Sequence, residues 1–204
     1  YGLGGASLNG LLSKLTRGVR NMKVGADIAA AAMDPFRPLL AQIVVTKRCN
    51  LSCGYCYEHD QVSSPIPFEV LRGRIDEFKR LKVVFVTLNG GEPLLHPQAV
   101  DLVRYIHDSG MIPMMNSNGF LLQPKLIRAL NAAKLYGLQI SCDGMEDNEA
   151  TQKSMRRLRG KLELLAEHAT FRVRVNTVLG SDSPEEAIEV ARIVLDFGFD
   201  AQCS

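Results

Sequence analysis

From residue 39 onward, short β-branched runs alternate with helical stretches at a spacing of about 30 residues, near the length of a βαβ unit. This rhythm restricts the fold more than any other property of the chain. Strands are predicted over 39–46, 83–88, 112–115, 138–141, 171–179 and 200–203. Helices are predicted over 67–81, 97–108, 124–133, 148–167 and 183–196. In the second of these helices Val100, Val103 and Ile106 fall on one face and Gly110 follows the helix end. The run Ser183-Pro184-Glu185-Glu186 has the pattern of a capping box with proline at the first helical position, and Gly198 stops that helix. Strict alternation implies parallel strands joined by right-handed crossovers, hence an α/β fold of the form (βα)5 plus one strand. An open sheet and a partial barrel both satisfy the pattern, and both bind ligands at the C-terminal ends of their strands.

Residues 1–38 stand apart from the rhythm. Leu11, Leu12, Leu15, Val19 and Met22, followed by the small residues 29–32, read as a helix or two over 8–33, ended by Pro35 and Pro38. A packing appendage is the favoured reading. Lys14, Arg17, Arg20 and Lys23 also permit a membrane-surface helix. The division is therefore a helical extension at 1–38 and an α/β unit at 39–204. A start at Tyr1 and an end within the sixth strand read as a fragment of a longer protein. The 24 basic and 22 acidic residues leave a net charge of +2, which makes no case for a nucleic-acid partner. No apolar run is long enough for a transmembrane segment.

Three of the five cysteines, Cys49, Cys53 and Cys56, fall within eight residues directly after the first strand. The spacing C-x3-C-x2-C supplies three thiolates to an iron–sulfur cubane and leaves one iron without a protein ligand, whereas electron-transfer clusters usually take four cysteines. Open coordination positions are where metals do chemistry. Gly54 permits a tight turn around a cluster, and Lys47 and Arg48 are expected to favour thiolates. With His59 as a fourth ligand the same thiols could hold zinc in a binding module without redox chemistry. Such reduced thiols fit a cytoplasmic location. Cys142 reads as packing, and Cys203 stands alone on the last strand.

Four motifs, each at a successive strand end, together resemble the radical S-adenosylmethionine (radical SAM) superfamily. They are Cys49-x3-Cys53-x-Tyr55-Cys56, Asn89-Gly90-Gly91-Glu92-Pro93, Asn116-Ser117-Asn118-Gly119 and Ser141-Cys142-Asp143-Gly144. The second matches the family's Gly-Gly-Glu-Pro motif in full. The third has Ser117 for threonine, and the fourth has Cys142 for leucine. The resemblance covers about residues 40–204 and implies a partial (βα)6-type TIM barrel, truncated in or just after strand 6, with an N-terminal helical extension.

It also implies cofactors and roles. A [4Fe–4S] cluster on Cys49, Cys53 and Cys56 would reductively cleave S-adenosylmethionine to a 5′-deoxyadenosyl radical, which abstracts hydrogen from a small-molecule or peptide substrate. Flavodoxin or ferredoxin would donate the electron. Gly90, Gly91, Glu92 and Pro93 would lie beside the methionine amine, and Ser117 and Asn118 beside its carboxylate. Ser141 and Asp143 would meet carboxylate or ribose, Asn176 would make a further contact from strand 5, and Tyr55 would lie against adenine. Ser117, Asn118, Ser141 and Asp143 also suit plain caps and turns. Among Arg156, Arg157 and Arg159 the sequence does not choose a carboxylate ligand, and a solvated helix face is the favoured reading. His59, His96, His107 and His168 read as ordinary surface or loop residues.

Overall fold

Six strands run parallel and pair in sequence order, β1 (Leu40–Thr46), β2 (Phe85–Gly90), β3 (Ile112–Ser117), β4 (Gly137–Ser141), β5 (Arg172–Thr177) and β6 (Asp200–Cys203). Between them lie α1 (Phe68–Arg80), α2 (Ala99–Asp108), α3 (Pro124–Ala132), α4 (Met155–His168) and α5 (Pro184–Asp196). This computed structural model describes residues 22, 24–56, 60–179 and 183–204. The arrangement is the open, partial barrel expected from the sequence, with the helices covering one face of the sheet. Residues 24–32 are helical and lead into β1. The rest of the helix expected over 8–33 lies almost wholly outside the described residues. No described helix is long and apolar enough to cross a membrane.

The helices form because their apolar residues recur at three- and four-residue intervals. α1 buries Leu71 and Ile75, with Glu69 in its first turn and Lys79 and Arg80 in its last, each complementing the helix dipole. α2 buries Leu102, Val103 and Ile106, and α4 buries Met155, Leu158, Leu162 and Leu165. The strands supply the other half of this core through alternate residues, among them Val45, Leu88, Met115, Ile140 and Val175. A fully buried leucine contributes about 1.5–3 kcal/mol relative to an exposed one, so this single layer anchors every strand end.

Two expectations change. The helix predicted from residue 148 begins at Met155 instead. The Asn148 carboxamide oxygen accepts the Ala150 and Thr151 N–H groups at 2.8 and 2.9 Å, a local turn that competes with helix. The capping box at Ser183 is half made. Ser183 Oγ accepts the Glu186 N–H at 3.3 Å, but the Glu186 carboxylate accepts the Met145 N–H at 2.9 Å, tying α5 to the loop after β4.

Candidate active site at the strand ends

The cysteine loop is held from both ends. Asp60 N–H donates to Lys47 O at 2.8 Å and Cys49 N–H to Asp60 O at 3.3 Å, closing the base of the loop. Gly91 N–H donates to Thr46 O at 2.9 Å and Glu92 N–H to Arg48 O at 2.8 Å, fixing it to the end of β2. The approach is too close for a side chain. A Cβ on Gly90, whose φ is +149°, would sit 2.1 Å from Thr46 O, and one on Gly91 would sit 2.4 Å from Arg48 O. The paired glycines therefore seat the cysteine loop against the adjacent strand.

Cys49, Cys53 and Cys56 line one cavity of 230 Å³ together with Gly90, Gly91, Ser117, Asn118, Ser141 and Lys153. Cys53 is buried and the other two are half-buried. Burial pushes the Cys49 thiol up, with Glu92 and Cys56 adding to the effect. Lys47 and Arg48 are exposed. Asn118 Nδ2 approaches Cys49 Sγ at 3.7 Å and donates to Asn50 Oδ1 at 2.8 Å. Among the described residues no three His, Cys, Asp or Glu groups are grouped to hold one metal ion, and His59 lies outside them.

Glu92, expected beside the methionine amine, lies at the end of the same loop contact. It is fully buried, accepting Ser117 Oγ–H at 2.9 Å, the Asn118 N–H at 2.7 Å and the Leu94 N–H at 2.9 Å. Burial raises its pKa against the lowering effect of these donors. In this arrangement the carboxylate locks the third motif to the second. Pro93 is buried at the start of the 3₁₀ turn Pro93–Leu95 and opens that turn. His96, expected as a surface or loop residue, lies in the loop after that turn but is buried. Its Nδ1 accepts the Gln98 N–H at 3.1 Å, which assigns the ring proton to Nε2, the donor to Ile66 O at 2.8 Å.

Asp143 lies at the centre of a second cluster. Its Oδ2 accepts Tyr55 O–H at 2.6 Å and Thr151 Oγ1–H at 2.8 Å, and Lys153 Nζ pairs with it at 3.2 Å. Lys153 also contacts the Tyr55 hydroxyl and lies 4.9 Å from the centre of its ring. Burial first, then the Asp143 hydrogen bond, pushes the Tyr55 pKa up to about 12. Lys153 was not among the residues singled out from sequence. Its signal there is weak, because the turn at Asn148 that places it is readable only as an interruption of an expected helix. The three arginines lie elsewhere, Arg156 pairing with Glu146 at 2.6 Å, Arg157 with Asp147 at 3.3 Å and Arg159 with Glu163 at 3.7 Å.

Two buried acceptors beside this cluster, Asp143 Oδ1 and Asn176 Oδ1, have no hydrogen-bond partner among the described residues. Asn176 uses its Nδ2 on Ser204 Oγ at 3.0 Å. Orphaned buried acceptors are rare and costly unless a ligand or water meets them. Cys142 is packing, as expected. It is buried against Gly144 O, and burial pushes its thiol up to about 12. Cys203 is exposed.

Comparison with known proteins places this geometry. The chain is 28% identical over 170 residues to the AdoMet-dependent heme synthase of Methanosarcina barkeri, covering 79% of this chain and 48% of that protein. It is 26% identical over 170 residues to the PqqA peptide cyclase of Bradyrhizobium diazoefficiens, covering 80% and 45%. The chain thus spans about half the length of these curated relatives. Among solved structures, Streptococcus suis SuiB bound to the precursor peptide SuiA superimposes with a TM-score of 0.72 at 18% identity, over 87% of this chain and 42% of that one. Such a likeness shows the fold. The family model for the radical SAM superfamily, which uses a [4Fe–4S] cluster and S-adenosylmethionine, matches residues 43–204, and the chain belongs to that superfamily.

Proposed function

We infer that residues 39–204 are the catalytic core of a radical SAM enzyme and that residues 1–38 form a helical extension to it. The observation that carries this reading is the convergence of three cysteines, the Gly90–Gly91 backbone and one cation, Lys153, on a single cavity at the strand ends. The residues fit the cofactors. Cys49, Cys53 and Cys56 would hold the cluster and leave an open iron. Gly90, Gly91, Ser117, Asn118 and Ser141 offer neutral donors and acceptors around it, and Lys153 offers a positive charge for the methionine carboxylate. Asp143 Oδ1 and Asn176 Oδ1 offer acceptors for amine or ribose hydroxyls. Glu92 and Pro93 act from below by fixing the rim. Tyr55, hydrogen-bonded to Asp143, would lie against adenine. When bound, the cluster supplies the electron that splits S-adenosylmethionine into methionine and a 5′-deoxyadenosyl radical, which takes a hydrogen atom from the substrate.

The curated relatives carry different activities, one named a heme synthase and another a peptide cyclase, so membership of the superfamily does not name the substrate. We place the protein in the cytoplasm, with flavodoxin or ferredoxin as electron donor. Anaerobic reconstitution is expected to give about four irons per chain and dithionite-dependent release of 5′-deoxyadenosine. Retention of both by Cys53→Ala, or a colourless protein carrying zinc, would refute the assignment.

A further inference from the structure

The face of the sheet away from the helices has an unusual composition. Strand residues alternate between faces, so partners of Leu88, Met115, Ile140 and Val175 on the core side are matched by others on the open side. Parallel sheets are ordinarily apolar on both faces, and barrel interiors are filled mainly by bulky branched side chains. Here a single row across four paired strands is polar instead. Asn116 pairs in register with Gln139, Gln139 with Arg174, and Arg174 with Asp200. The row lies one pleat, roughly 7 Å, below Ser141 and Asn176 at the rim.

Its side chains have hydrogen-bonding capacity to spare. Among the described residues neither the Asn116 nor the Gln139 carboxamide makes a hydrogen bond. Arg174 makes one, to Gln202 Oε1 at 3.2 Å, out of five N–H donors, and forms no ion pair there. Its neighbour Arg172 is already engaged, pairing with Asp200 at 3.6 Å. Asn116 lines the cysteine cavity, while Gln139 and Arg174 line a second cavity of 60 Å³ on the same face, room for a carboxylate head, where the Asp200 carboxylate is neutralised by its pairing with Arg172 and Arg174 is left to supply the excess positive charge.

Resting on the reading of the cysteine cavity as the radical-generating site, we propose that Asn116, Gln139 and Arg174 form the substrate anchor. It takes a carboxylate-bearing substrate, with the carboxylate on Arg174 and the polar body across the two carboxamides, below the cofactor cavity. Arg174 is the specificity determinant, since a guanidinium with one hydrogen bond and no ion pair among the described residues recognises a carboxylate by charge-assisted, bidentate hydrogen bonds.

Shape-matched probes that differ in charge test this by NMR titration of backbone and arginine Nε–H signals. Glutarate is compared with glutaramide, and acetyl-Glu-Glu-amide with acetyl-Gln-Gln-amide. The acid of at least one pair is expected to bind about tenfold more tightly than its neutral twin, and Arg174→Gln is expected to abolish that preference. A response in the first pair alone identifies a free acid, and in the second alone an acidic peptide segment. Acids binding no better than amides, the absence of saturable binding by either acid, or a preference that survives Arg174→Gln overturns the proposal and leaves the row as a contact for another protein segment. The wild-type comparison decides the matter even if the variant misfolds. Cleavage of S-adenosylmethionine by the reconstituted wild-type chain is measured alongside. Its absence refutes the cofactor reading while leaving the probe result to be judged alone.

Discussion

Replacing Gly91 with alanine tests how the cluster loop is seated. The new Cβ would lie 2.4 Å from Arg48 O and 2.5 Å from Lys47 O, where ordinary contact begins at 3.4 Å. Both obstacles are backbone, so the loop must retreat by about 1 Å, against steric costs of typically 1–3 kcal/mol for overpacking. That retreat stretches two hydrogen bonds, Gly91 N–H to Thr46 O and Glu92 N–H to Arg48 O, each worth about 1 kcal/mol net. A loss of about 2 kcal/mol lowers the melting temperature of a chain this size by roughly 4–8 °C. Calorimetry of the apoprotein measures this, and iron content after reconstitution is expected to fall with it, because Cys49 directly follows Arg48. Gly73→Ala is the control. Gly73 lies inside α1 with nothing within 4 Å of its Cβ position, so the change is expected to stabilise by about 0.5–1 kcal/mol. Wild-type stability and iron binding in Gly91→Ala would refute the argument that backbone crowding seats the loop.

Other perturbations probe the supports of the site. Because burial raises the pKa of Glu92 above its unfolded value, its contribution to stability is full below the unfolded carboxylate pKa and is lost as pH rises through the folded one. Urea unfolding from pH 4 upward is expected to show the wild-type protein losing stability relative to Glu92→Gln, and a constant difference would contradict this. His96→Ala removes the partners of Ile66 O and Gln98 N–H in a buried position and is expected to cost about 2–3 kcal/mol in the same assay. A loss under 0.5 kcal/mol would show that water replaces the ring. Lys153→Met leaves the buried Asp143 carboxylate without its cation. Equilibrium dialysis is expected to show S-adenosylmethionine binding at least tenfold more weakly, and unchanged affinity would remove Lys153 from the site.

Much of this was readable from local pattern. The motif at residues 89–93 was readable as a pair of glycines at a strand end, but the chain that approaches them, Thr46–Arg48, is supplied by the structure. Helix α4 was readable in its apolar face but not at its start, because a side chain–backbone turn at Asn148 outcompetes the first helical hydrogen bonds. Lys153 and His96 were missed for one reason. Each gains its role from partners distant in sequence, Lys153 from Tyr55 and Asp143, and His96 from Ile66.

The sequence by itself determined the order of elements, the parallel sheet and the cysteine cluster at its first strand end, since period, turn residues and ligand spacing are local. Tertiary structure alone decided which groups face the cavity. Glu92 turns inward to brace the rim, Lys153 turns toward the cavity, and Asp143 and Asn176 each keep an acceptor unmet among the described residues. The physical reason is that burial and hydrogen-bond saturation depend on what the fold brings alongside, and a strand's alternation fixes a side chain's face without naming its neighbours.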